Sequence, residues 1–198
     1  MENRKIKIIA IILLFLVSCN NYSQKKNYDT DVLMNNANCV RSKKIGFKNR
    51  LKMFPFENTS QILIVSHRTK NGMIGEELRK YLNSIKINQD TINHKEFEQV
   101  EKLNLIQIEK FTDIIFNYSH KGKVYAISDV KCYEPRNAFI FLDKDNKVLG
   151  FIEICFGCNH LRTSDKRIDI GDYCEQKYDL LKGIFRESGI KYGITEVE

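Results

Sequence analysis

Asn137-Ala138-Phe139-Ile140-Phe141-Leu142 and, five residues later, Val148-Leu149-Gly150-Phe151-Ile152-Glu153-Ile154-Cys155-Phe156 are the two stretches that decide the fold. Each is an apolar, strand-length run. Between them lies the polar cluster Asp143-Lys144-Asp145-Asn146-Lys147, so the pair reads as a β-hairpin. The Asp143/Asp145 spacing does not make a calcium loop. Lys147 falls where a third ligand belongs, no Gly occupies the sixth position, and Ile154 stands where the bidentate Glu is needed. With Lys144 facing Lys147 across a two-residue turn, paired positions sum to 291, which places residue 132 opposite 159.

Working outward, Gln61-Ile62-Leu63-Ile64-Val65-Ser66 suits a buried strand. Ile74, Leu78, Tyr81, Leu82 and Ile85 recur at helical spacing between charged residues and predict an amphipathic helix. Phe97, Val100, Ile108, Phe111, Ile115 and Tyr118 also fit helical spacing, although Leu103-Asn104-Leu105 alternates; the stretch 95–118 reads as a helix broken once and ending near Gly122. Val124–Val130 alternates in part and is a candidate strand. Asp172 with Glu175 three residues on has a capping-box pattern, opening a last helix whose buried face is Cys174, Tyr178, Leu181 and Phe185 and which Gly189 ends. This order predicts an α+β domain, with a mainly antiparallel sheet and its C-terminal-half hairpin packed against helices.

The chain has 198 residues, 42% hydrophobic and 29% charged, which excludes a wholly disordered or fibrous chain. Its +7 charge comes from a composition in which Lys, Asn and Ile together make up a third of the residues, and it falls to +5 without residues 1–18. No basic tract with interleaved aromatics accompanies it, so nucleic acid is not an expected partner.

Arg4, Lys5 and Lys7 precede an unbroken apolar run of ten residues, Ile8–Val17. Ten helical residues rise about 15 Å, half of a hydrocarbon core of about 30 Å. The run therefore has the length of a signal-peptide h-region. Leu16-Val17-Ser18-Cys19 follows directly and resembles the lipobox of bacterial lipoproteins. That resemblance implies removal of residues 1–18 by signal peptidase II and lipidation of Cys19, with the membrane as partner through the N-terminal lipid. Asn20 rather than Asp after the Cys points, within that family, to the outer membrane of a two-membrane bacterium. Residues 19–45, polar and without periodicity, are expected as the lipidated N-terminus and a flexible tether, and 46–198 as one globular domain.

Besides Cys19 there are Cys39, Cys132, Cys155, Cys158 and Cys174. In an exported chain disulfides are the default. The hairpin register favours Cys132–Cys158, leaving Cys155 for Cys174, and gives Cys39 no role. Other readings of Cys155-Phe156-Gly157-Cys158 are open. Covalent haem needs His directly after the second Cys, and Asn159 intervenes before His160. A thioredoxin-like site needs a following helix and a downstream cis-Pro, whereas Pro55 and Pro135 both lie upstream. An alternative zinc set is Cys155, Cys158 and Cys174 with His160 or Cys132. Ser66-His67 lacks a GxSxG context, and no Walker loop or GxGxxG is present. Glu153, mid-strand and two residues before Cys155, is a functional pointer if it faces inward; alternation leaves both faces open.

The sequence thus predicts a cell-envelope lipoprotein that acts as a non-catalytic binding or interaction module stabilised by disulfides, without a cofactor, with an envelope protein as a possible partner. The alternative is an envelope thiol-redox or zinc-binding protein using Cys155 and Cys158.

Overall fold

An apolar run in which every residue is buried cannot leave one side of its strand to water, so a sheet built from such runs must be covered on both faces. The computed structural model, which describes residues 30–69, 76–123 and 133–195, has this arrangement. From Met34 onward the chain forms one compact unit. The described elements in chain order are α1 (Thr30–Ala37), β1 (Cys39–Arg41), α2 (Phe47–Arg50), β2 (Gln61–Ser66), α3 (Glu77–Asn88), β3 (Gln99–Lys102), α4 (Leu105–Asn117), β4 (Tyr118–His120), β5 (Asn137–Leu142), β6 (Val148–Cys155), β7 (His160–Thr163) and α5 (Lys177–Glu187). The fold is α+β, with two antiparallel sheets: β1–β4, and a five-stranded sheet in the order β3–β2–β5–β6–β7.

Alternation along the central strands sends Ile62, Ile64, Phe139, Phe141, Ile152 and Ile154 to one face. There they meet Phe111, Ile114 and Ile115 of α4 and Leu181, Ile184 and Phe185 of α5. Leu63, Val65, Ala138, Ile140 and Phe151 go to the other face, under Leu78, Leu82 and Ile85 of α3. Every residue of β5 is buried.

The hairpin β5–β6 keeps the register summing to 291 from Asn137↔Ile154 to Phe141↔Gly150, then shifts to Leu142↔Val148. The turn accordingly holds three residues, not two. Asp143 accepts Asn146 N at its carbonyl and Asp145 N and Lys147 N at its carboxylate, and Asn146 takes φ 59°. An aspartate that binds the two amides beyond it, followed by an asparagine able to enter the left-handed region, favours this longer turn.

Three further expectations are corrected. The stretch 95–118 is not one broken helix. Gln99–Lys102 is strand β3, paired with β2, because Phe97 and Val100 belong under α3 while Leu103 enters the opposite face. Asn104 then opens α4 with a full capping box to Gln107. The helix stops at Asn117, short of Gly122, and passes directly into β4.

Secondly, α5 opens at Lys177, not Asp172. The Asp172 carboxylate pairs with Lys43 at 3.1 Å, and its carbonyl, with those of Ile115 and Ile170, receives the buried Lys177 ammonium. Gly171, at φ +64°, makes that approach feasible, since a Cβ there would stand 2.0 Å from the Ile115 oxygen.

Thirdly, residues 34–45 belong to the folded unit rather than to a tether. β1 pairs with β4, and the buried Asn117 accepts Ser42 N and Lys43 N at its backbone oxygen and Ile45 N at its side chain. The candidate strand 124–130 lies outside the described residues.

Candidate functional site

Cys174 is bonded to Cys39, with Cα atoms 4.9 Å apart, and not to Cys155. The irregular segment before α5 explains this. It lies along β1 and β4, with His120 N donating to Tyr173 O, Glu175 N to Ala37 O, and Cys39 N to the Gln176 side chain at 2.6 Å. Residue 174 is thereby brought to residue 39, and both were expected elsewhere: one in a tether, the other in a helix.

The bridge also removes Cys174 from the alternative zinc set of Cys155, Cys158, Cys174 and His160, since a disulfide sulfur is not a thiolate ligand. Among the described residues no group of three or more His, Cys, Asp or Glu could hold a metal ion. Cys155 and Cys158 sit on the turn joining β6 to β7, both buried and not joined to one another. The expected Cys132–Cys158 bridge involves a residue outside those described.

The second cluster is built around Glu153. In β6 it stands opposite Ala138 of β5 and Arg162 of β7, on the face that α3 covers, and it is 0% exposed. Tyr133, just before β5, donates its hydroxyl to Glu153 Oε2 at 2.9 Å. Arg79, in the first turn of α3, places Nη1 3.5 Å from the same oxygen and gives Nη2 to the Thr163 carbonyl at 3.4 Å. Arg162 lies over the Tyr133 ring, 3.9 Å from its centroid, and pairs with Glu76 at 3.4 Å. His160 meets the same ring edge-on at 5.1 Å.

The start of α3 is thus fastened to the sheet by charge, Glu76 to β7 and Arg79 to β6, while Glu77 lies 3.5 Å from the buried His67 beyond β2. His67 Nδ1 is 3.1 Å from the Glu96 carbonyl.

Burial pushes the Glu153 carboxyl above the ordinary range, and the Tyr133 hydroxyl and Arg79 only partly oppose it. Burial and the adjoining carboxylate likewise raise Tyr133, which stays protonated and keeps donating. Two atoms of this cluster have no hydrogen-bond partner among the described residues: Glu153 Oε1 and Arg79 Nη1. Buried polar atoms are ordinarily satisfied, and an exception calls for an occupant or a role. What the cluster offers is an acceptor and a donor side by side.

Glu153 was legible as a candidate from its position alone. Tyr133, Arg79 and Arg162 were not singled out. Arg162 becomes visible only once the turn after Cys155 is known to return as a strand, which sets it across from Glu153. Compared with protein-family models, with curated proteins and with solved structures, the chain finds no match.

Proposed function

We propose that this chain is a lipid-anchored binding module of the cell envelope, held at the membrane through an acylated Cys19 after loss of residues 1–18, and working without catalysis. The observation that carries the reading is the Cys39–Cys174 bridge, which closes a sequence separation of 135 residues. Structural disulfides persist in exported proteins and are rare in a reducing cytosol. A bridge of this span therefore fits a chain whose leader runs into Leu16-Val17-Ser18-Cys19. No helix among the described residues is long and apolar enough to cross a membrane. Two or three acyl chains on Cys19 supply lasting attachment, because each buried methylene contributes about 0.8 kcal/mol. Asn20 favours the outer membrane as the destination.

The test is metabolic labelling with palmitate, with and without globomycin, alongside a Cys19→Ala variant. Labelled chain at the membrane, precursor accumulating under globomycin, and release of the Cys19→Ala chain from membranes are the expected results. A Cys19→Ala chain that stays bound to vesicles overturns the reading. Alkylation without reductant, followed by intact mass, checks the compartment: Cys39 and Cys174 should both be protected.

A further inference from the structure

We propose that His67 and Glu77 form a proton-operated latch at the start of α3, closed when the imidazole is charged and released when it is neutral. The inference goes beyond the binding-module reading and does not depend on it. Three observations carry it.

The first is how the ring is held. His67 directly follows β2, its backbone N–H donates to the Arg136 carbonyl at 2.7 Å, and its ring meets Phe97 edge-on with centroids 6.5 Å apart. Nδ1 lies 3.1 Å from the Glu96 carbonyl. A carbonyl oxygen only accepts, so Nδ1 carries the proton, and in the neutral ring Nε2 has a lone pair and no hydrogen.

The second is what Nε2 meets. Glu77 Oε2 stands 3.5 Å away, and a carboxylate oxygen also only accepts. Two acceptors face each other, and Nε2, on a residue 5% exposed, has no hydrogen-bond partner among the described residues. One proton on Nε2 turns this into a charge-assisted N–H···O bond. Histidine is the side chain whose charge ordinarily changes between about pH 5 and pH 8, whereas a carboxylate takes up its proton lower.

The third is that the other charged groups around the ring are engaged elsewhere. Beside β3, Glu98 pairs with Arg68 at 3.3 Å, and before β5, Arg136 pairs with Glu134 at 3.0 Å. On α3, Glu76 and Arg79 turn to Arg162 and Glu153. The adjoining turn carries His94, Lys95 and Glu96 and meets the ring through the Glu96 carbonyl. The proton on Nε2 thus bears on Glu77, the first residue of α3, and on the turn that Lys80 N closes by donating to Glu76 O at 2.9 Å.

The experiment is amide hydrogen exchange on the full chain in detergent micelles at about pH 5.5 and about pH 8, with rates expressed as protection factors so that the intrinsic pH dependence drops out. Protection of the Lys80 amide should fall by about tenfold on going to the higher pH, the scale of one charge-assisted hydrogen bond, while that of Phe111 in α4 should not follow it. In Glu77→Gln the side-chain amide can donate to the neutral ring or accept from the charged one, so the fall should shrink to less than about twofold. His67→Gln cannot take up a proton and should likewise show no fall. Ring nitrogen shifts at the higher pH should report the Nδ1–H tautomer.

Equal protection of Lys80 at both pH values in the parent overturns the proposal. So does a fall that persists in Glu77→Gln, which carries the test if His67→Gln does not fold, and so does a neutral His67 ring in the Nε2–H tautomer. A persisting fall would assign the pH dependence to another group, such as Glu153 through Arg79.

Discussion

Two buried charged groups on opposite faces of the five-stranded sheet, Lys177 and Glu153, are handled in opposite ways. Near α4 and α5, Lys177 is 4% exposed and its ammonium is surrounded by the carbonyls of Ile115, Ile170 and Asp172. Under α3, Glu153 is 0% exposed yet has one carboxylate oxygen without a partner among the described residues. The first is a structural clamp, closed on itself, which fastens the entrance of α5 to the end of α4. The second is an open valence. Their surroundings match: the α4/α5 face is filled with packed rings, Phe111 stacking on Phe139 at 3.9 Å and Phe139 meeting Phe185 at 4.8 Å. The α3 face has mainly aliphatic packing, with Phe151 and Phe97, and charged ties at one end. One face is closed by packed rings, while the other ends in a buried carboxylate with an unpartnered oxygen among the described residues.

The sharpest test of that division is Phe139→Ala. It should cost about 3–5 kcal/mol in urea unfolding, the range for a buried aromatic ring removed from a core. A loss below about 1 kcal/mol would remove the claim that this face holds the fold together.

Lys177→Met comes next, at about 2–3 kcal/mol, because it strands buried carbonyls. Burial pulls Lys177 down from its usual 10.5 to about 8, with Asp172 and Asp169 opposing. The unfolded chain therefore keeps this proton where the folded chain has lost it, and the lysine's contribution to stability rises between about pH 8 and pH 10.5. The Met variant should lack that component of the rise.

A smaller effect of opposite sign is expected from replacing Glu153 and Arg79 together by Leu. Ala138 and Phe151 already make the surroundings apolar, so the double variant should equal or exceed the parent by about 1 kcal/mol. A large loss would mean that the charges are there for stability, and the contrast between the faces would fail.

The smallest effect is the pH profile of Glu153→Gln. Since burial raises the carboxyl, its share of stability is complete below the ordinary carboxyl range and is lost as pH rises through the raised folded value. Urea midpoints, followed upward from the ordinary carboxyl range, should fall less steeply with pH in the Gln variant than in the parent.

Most of the central sheet could be read from the chain because its evidence is local. Hairpin spacing gave the β5–β6 register for five pairs, and the apolar run 61–66 announced a strand buried on both sides. β3 was hidden because Phe97, Val100 and Leu103 sit three apart, which imitates a helix when the residues in fact divide between two faces of a sheet. The Cys39–Cys174 pairing was hidden for a different reason. It depends on an irregular segment laid alongside β1, and neither periodicity nor hairpin arithmetic records where such a segment goes. Glu153 was visible as an oddity in an apolar strand, but the arginine and tyrosine that give it meaning arrive from residues 74 and 20 positions away.

The bridge between Cys39 and Cys174 also decides how the domain bears tension. A tug arriving from the N-terminal side reaches Cys39 and crosses one covalent link into the backbone at Cys174. The strands and helices between those two positions stay slack while α5 takes the strain. A load applied between the two ends of the chain would then spend its force outside the bridged span, leaving the sheet unstretched.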